Sequence, residues 1–364
     1  MRELLSSPPD GRRQAAADNA LGLEESLFTL ACSDARGVPL AGRAAELVAL
    51  RVVGARDLSL ARLYEGHLNG AQLVARHGTA EQRARSLADI GAGRVFGVWN
   101  TQEADDPLRI SIRGDGITLD GAKTWASGAG TITRPVVTAL RADGTTQLCL
   151  IPIERVATAV DRSGWRPHGM QRSDSFRIAF DGVELRADDL IGAPGAYDRQ
   201  PWFWGGAWRF AAAQSGAVER LFVETAAYLR ARGRDGDTFQ RARLAEMRMG
   251  LHCAVHWLRA AAAAWSDFDT AETAAGAARV IDVVDMARTS VETIAVDTIA
   301  RVLRSVGASG LIEPQPFGPL VRDLEMYLRQ PAPDAAVVRI GIAAFAEAQA
   351  LHKAMVASST DCDG

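Results

Sequence analysis

Gly121-Ala122-Lys123-Thr124-Trp125-Ala126-Ser127-Gly128-Ala129-Gly130 is the stretch on which the reading of this chain turns. It sits in a strand-rich middle third, between two helical thirds. A Trp and a Ser two residues apart on an extended segment share one face. There a flat indole can cover one side of a planar ring system. The hydroxyl and nearby backbone N–H groups can reach the polar edge of that ring. The glycines let the backbone come close.

Outward from this segment the chain changes period twice. Residues 1–95 form an N-terminal helical domain, with apolar positions at helical spacing over 44–50 and 58–77. At Gly78-Thr79-Ala80-Glu81-Gln82 one helix stops and another starts: Gly ends the first, Thr79 caps the second, and Glu81 suits its first turn. Residues 96–195 hold short strand-type runs such as Val95–Trp99, Val136–Leu140 and Phe176–Phe180, with Asp-Gly punctuation at 115–116, 120–121 and 143–144. That spacing predicts a compact antiparallel β-barrel. Residues 196–364 are rich in Ala, Leu and Arg. Long helical patterns over 214–232, 238–265, 274–306 and 335–354 predict a four-helix bundle. The expected fold class is therefore α+β.

Bulk properties narrow the function. At 364 residues the chain is long enough for two or three domains. Net charge is -3 and apolar content 48%, which argues against a nucleic-acid or anionic-membrane surface. Cys32, Cys149, Cys253 and Cys362 are scattered without metal-ligand spacing and read as reduced thiols, which suits a cytoplasmic location. The first ten residues lack the apolar region of a signal peptide. No run approaches the roughly 20 apolar residues of a membrane span. His252 and His256, four apart on a helix beside Cys253, lack a third ligand and read as a packed helix face rather than a metal pair.

Several segments occur together in an order that resembles the acyl-CoA dehydrogenase family. Ala75–Arg83 resembles the phrase that precedes the family's barrel, and Gly97–Glu103 stands at its first flavin strand. Gly121–Gly130 resembles the flavin-contacting strand. Gly164–Leu185, Ser305–Leu311 and Val321-Arg322-Asp323 resemble the later family motifs. The resemblance runs from about residue 40 to 345.

This resemblance implies FAD. Trp125 would cover the isoalloxazine and Ser127 would bond its N5/O4 edge, with plain core packing as the competing reading of Trp125. Asn100 and Thr101 occupy the other flavin-contacting position. Arg230 or Arg232 would approach the FAD phosphates of a neighbouring subunit; otherwise they are surface arginines. Gly307 and Ala308 would admit that dinucleotide, unless Gly307 is a helix cap. A site completed across subunits implies a homodimer or homotetramer.

The departures matter as much. The family's general base is a Glu after the Arg-Asp pair, and its place falls here on Pro331 or Ala332. The minority seat of the base falls on Trp208, just before Arg209. None of these takes a proton. Asp334 is the nearest carboxylate and the remaining candidate. The aromatic run that includes Trp202, Phe203, Trp204 and Trp208 either packs barrel on bundle or borders the substrate pocket, with Trp204, Trp208 and Arg209 as substrate contacts. In the latter case it favours a bulky apolar substrate. Three functions compete: an FAD-dependent dehydrogenase of acyl-CoA or a carrier-bound acyl group, a flavin monooxygenase or oxidase using O2, and a non-catalytic flavoprotein scaffold.

Overall fold

A computed structural model describes residues 42–360. Cys32, Cys362, the first ten residues and the start of the N-terminal helical domain lie outside the described residues. Among the described residues three helices come first: α1 (Gly42–Arg56), α2 (Leu58–His77) and α3 (Ala80–Gly91). Asp57 caps α2 by accepting from the Leu60 N–H at 2.8 Å. Thr79 and Gln82 form a reciprocal capping box at the start of α3, so the break read at Gly78 is the observed one.

The middle of the chain contributes ten short strands: β1 (Phe96–Trp99), β2 (Arg109–Arg113), β3 (Gly116–Asp120), β4 (Ala122–Ala126), β5 (Arg134–Leu140), β6 (Thr146–Leu150), β7 (Ala159–Asp161), β8 (Phe176–Ala179), β9 (Val183–Leu185) and β10 (Leu190–Ile191). Seven form one sheet in the order β10-β6-β5-β2-β3-β9, with β1 joined to β5. The other three form a sheet in the order β4-β8-β7. Most pairs are antiparallel, but β1 and β5 run parallel, Phe96 opposite Arg134, and β2 meets β5 in parallel at one pair. A parallel pair needs a long crossover, which β2 to β4 supply. Trp99, Leu119, Val137 and Phe180 lie in the buried core between the sheets.

The C-terminal part is helical: α4 (Trp208–Ala231), α5 (Thr238–Thr270), α6 (Ala274–Gly310), α7 (Phe317–Tyr327) and α8 (Pro333–Thr360). Small residues on α4 let helices approach. A β-carbon at Gly216 would stand 2.1 Å from the Arg51 carbonyl oxygen of α1. One continuous core runs from α1 and α2 through α4, α5, α6 and α7. It holds the first helices and the bundle against each other, leaving a cleft where both meet β4.

Candidate active site

Trp125 is the last residue but one of β4, and its backbone is left-handed, with φ of 53°. Such a conformation is costly for a bulky residue and persists where surroundings impose it. The β4–β8 register shifts between Lys123 and Ala126. Trp125 and Ser127 therefore reach one cavity through a bulge, and not through the plain strand alternation expected from their spacing. Trp125 is 55% exposed, so it is not core. Its ring meets Trp165 edge-on, with centroids 5.7 Å apart.

The cavity measures about 260 Å³. Thr101, Trp125 and Ser127 line it together. Arg62, Trp165, Met170, Met326 and Tyr327 also line it without having been read as site residues, and Pro331, one of the two positions on which the absent base falls, joins them. No Asp or Glu is among the described residues of the wall.

Its polar end is a connected network. Arg62 Nε donates to Ser127 Oγ at 3.2 Å. Ser127 Oγ lies 2.8 Å from Ser175 Oγ, which lies 2.9 Å from Ser173 Oγ. The Trp99 indole N–H donates to the Ser127 carbonyl at 3.0 Å and fixes that backbone. Arg62 also pairs with Glu65, one turn along α2. Burial works against the Arg62 charge, but the Glu65 carboxylate and, behind it, the nearby Tyr327 and Tyr197 together more than offset it. Tyr327 is buried beside this pair. Burial and, second, the charge of Glu65 push its phenol well above the usual range, so it stays protonated.

Other expected residues are placed elsewhere. The Asn100 side chain accepts from Thr138 Oγ1 at 2.7 Å, and its carbonyl accepts from Lys123 Nζ at 3.0 Å. Asn100 is thus tied into the barrel beside the cavity. Trp208 is fully buried in the bundle core, with no hydrogen-bond partner for its indole N–H. Arg209 is buried against Glu46 at 2.6 Å, on the wall of a second cavity of about 630 Å³ that includes Trp202 and Trp265. Trp204 packs on Phe203 and lies under the Arg339 guanidinium. None of the three lines the cavity of Trp125; the first turn of α4 carries Trp208 and Arg209 into the bundle interior, and Trp204 lies in the turn before it. Asp334 is exposed in the first turn of α8, where its charge suits the helix N-terminus, and does not line the cavity.

Arg230 is mostly exposed, 4.0 Å from Asp235, and Arg232 stacks on Tyr228. Gly307 interrupts α6 with φ 63° and ψ -169°, a backbone shape largely reserved for glycine. A β-carbon there would meet nothing within 4 Å, so the conformation and not crowding calls for glycine. Ala308 follows it in the last turn. His252 and His256 face solvent, not a packed neighbour, and no cluster of metal-ligating side chains occurs among the described residues. No described helix is long and apolar enough to cross a membrane.

Comparison with known proteins gives the fold a context. No protein-family profile matches the chain. Dibenzothiophene monooxygenase of Rhodococcus erythropolis is 28% identical over 159 residues, which is 41% of this chain and 38% of that protein. The match thus spans well under half of that curated relative. The FMN-bound structure of TdsC from Paenibacillus sp. A11-2 superposes with a TM-score of 0.82 at 21% identity, covering 89% of each chain. Butyryl-CoA dehydrogenase of Megasphaera elsdenii superposes at 0.77 with 16% identity, covering 90% of each. The chain has the acyl-CoA dehydrogenase fold.

Proposed function

We propose that this protein is a flavin-dependent monooxygenase acting on a planar aromatic substrate. One observation carries the reading: among the described residues, the wall that presents Trp125 and Ser127 to a common cavity contains no carboxylate. Proton abstraction from an acyl thioester needs such a base within reach. Oxygen transfer to an aromatic ring or a ring sulfur does not. The matched segment of dibenzothiophene monooxygenase and the fold shared with TdsC, a protein also solved with indole, support the same class.

The residues fit a flavin. An exposed indole held by a strained backbone offers a flat face, and the Ser127–Ser175–Ser173 hydroxyls offer its polar edge. Trp125, Ser127 and Thr101 would hold the ring. A bound reduced flavin supplies the two electrons that, with O2, place one oxygen atom on the substrate and the other in water. Arg62 and the serines orient polar atoms, and Trp165, Met170 and Met326 exclude water around the apolar body. FMN becomes the first cofactor to test, ahead of FAD, because it is the form named in the TdsC structure.

A homo-oligomer accompanies this reading. Val338, Ile342 and Phe345 lie three and four apart on α8 and are exposed, Phe345 by 83%. The protein should elute well above 38.9 kDa.

The decisive experiment loads the purified chain with FMN or FAD, reduces it without air, then admits O2. Rapid reoxidation with isotopically labelled oxygen entering an aromatic heterocycle is expected. Slow reoxidation together with bleaching by acyl-CoA would replace this reading with a dehydrogenase. Flavin uptake with neither reaction would leave a non-catalytic flavoprotein scaffold, and failure to take up either flavin would overturn the reading.

A further inference from the structure

We propose that Tyr327 is the substrate-positioning donor of this cavity and selects aromatic substrates that carry a hydrogen-bond acceptor. Tyr327 closes α7, forms part of the cavity wall and is 2% exposed. Its hydroxyl is buried with no hydrogen-bond partner. Among the described wall residues no other side chain carries such an orphaned buried group. Buried hydroxyls are ordinarily satisfied, and an exception at a cavity is explained by what the cavity binds.

The surroundings fix what the hydroxyl can do. Its charged neighbours are Glu65 and Arg62. Those two are committed to each other, and Arg62 also donates to Ser127. The phenol stays protonated beside Glu65, so its free capacity is an O–H directed to an acceptor. The same wall carries the apolar Trp125, Trp165, Met170, Met326 and Pro331. Rings and thioethers receive a flat apolar body. A flat body with one acceptor atom satisfies both ends. A site built to bond a polar atom rejects the analogue that lacks it.

The inference rests on the aromatic-substrate reading above, and its test separates the two. Naphthalene and quinoline share shape and size, but only quinoline has a ring nitrogen that accepts. Binding of each to the flavin-loaded full chain is measured by calorimetry at pH 8. The same titrations on the chain without added flavin are followed by tryptophan fluorescence. The wild type should bind quinoline about 3–10-fold more tightly, the yield of one net hydrogen bond. Tyr327→Phe should keep its affinity for naphthalene and lose that preference. It should also melt no lower than the wild type, since the hydroxyl has no protein partner to lose. A preference that survives in Tyr327→Phe overturns the assignment. So does a wild type with no preference, a loaded protein that binds neither ring, or a variant that melts several degrees lower. If the chain takes up no flavin yet shows the preference and its loss, the flavin reading falls and the role of Tyr327 stands.

Discussion

A β-carbon on Gly169 would stand 2.1 Å from the carbonyl oxygen of Arg322, so the 164–175 loop lies directly on α7. The Met170 N–H next to it donates to Asp323 Oδ1 at 2.6 Å. The loop brings Trp165, Met170, Ser173 and Ser175 to the cavity, while α7 brings Met326 and Tyr327. One close approach thus sets the distance between two walls of the site. Gly169→Ala forces backbone against backbone, and overpacking of this kind costs about 1–3 kcal/mol. The variant should melt lower and bind aromatic ligands and flavin more weakly. Unchanged melting and binding would show that the two walls are independent.

Trp125 combines a left-handed backbone with a half-exposed side chain. Trp125→Gly relieves the backbone strain, which for one residue in a sparsely populated region is about 1–3 kcal/mol. It forfeits an edge-on contact with Trp165 of about 0.5–1.5 kcal/mol beyond area burial. The variant should be about as stable as the wild type, or more so, while flavin content falls sharply. Circular dichroism melting and flavin content on one preparation decide it. A large loss of stability with flavin still bound would make Trp125 a structural residue.

The helices, the Thr79 cap and the Trp125–Ser127 pair were legible because each rests on neighbours in sequence. Helical spacing, a capping box and a ten-residue motif are local signals. Arg62 and Tyr327 were not legible. Arg62 lies on an amphipathic helix, where an arginine ordinarily faces water, and its partner Ser127 sits on a distant strand. Tyr327 looked like one more residue between the Arg-Asp pair and an empty base position. Only the packing of α7 against α2 and the 164–175 loop makes it a wall. The misplacement of Trp208 and Arg209 has the same origin. The helical pattern was read from 214, whereas α4 begins at Trp208, and which way its first turn faces is set by α1, through Glu46. The parallel β1–β5 pair also depends on tertiary closure, since short alternating strands look alike whichever way they pair.

Asp334 lies exposed at the start of α8 and outside the cavity wall. Asp334→Asn should leave turnover and flavin content unchanged and cost at most about 0.3–1 kcal/mol of favourable charge at the helix N-terminus. Because no carboxylate lines the cavity among the described residues, butyryl-, octanoyl- and palmitoyl-CoA should not bleach the bound flavin at a useful rate. A missing general base is worth about 10²–10⁴-fold. Anaerobic spectra with each thioester check both statements. Rapid bleaching that Asp334→Asn abolishes would restore Asp334 as the base.

Lys123 is fully buried in β4, with its Nζ 3.0 Å from the Asn100 carbonyl, 2.6 Å from Gln102 Oε1 and 3.0 Å from Thr138 Oγ1. Three acceptors suit an ammonium, but no carboxylate is among them. Burial pushes the group down to about 7. The sign follows from proton counts. Between about pH 7 and 10.5 the unfolded chain holds a proton on this lysine that the native chain has released. Stability from this group therefore rises as pH is raised through that window and is level below it. His67 and His77, which burial pushes to about 3 and about 4, act only on the acid side of their ordinary range. Lys123→Met keeps an unbranched chain of similar length but removes the titration. It also leaves three acceptors short of a donor, a loss that does not depend on pH. Urea unfolding of both proteins from pH 6 to pH 10 should show the wild type gaining on the variant above about pH 7. A difference that stays constant across that range would mean that the three acceptors hold the ammonium in the native state, and the pH argument would fail with it.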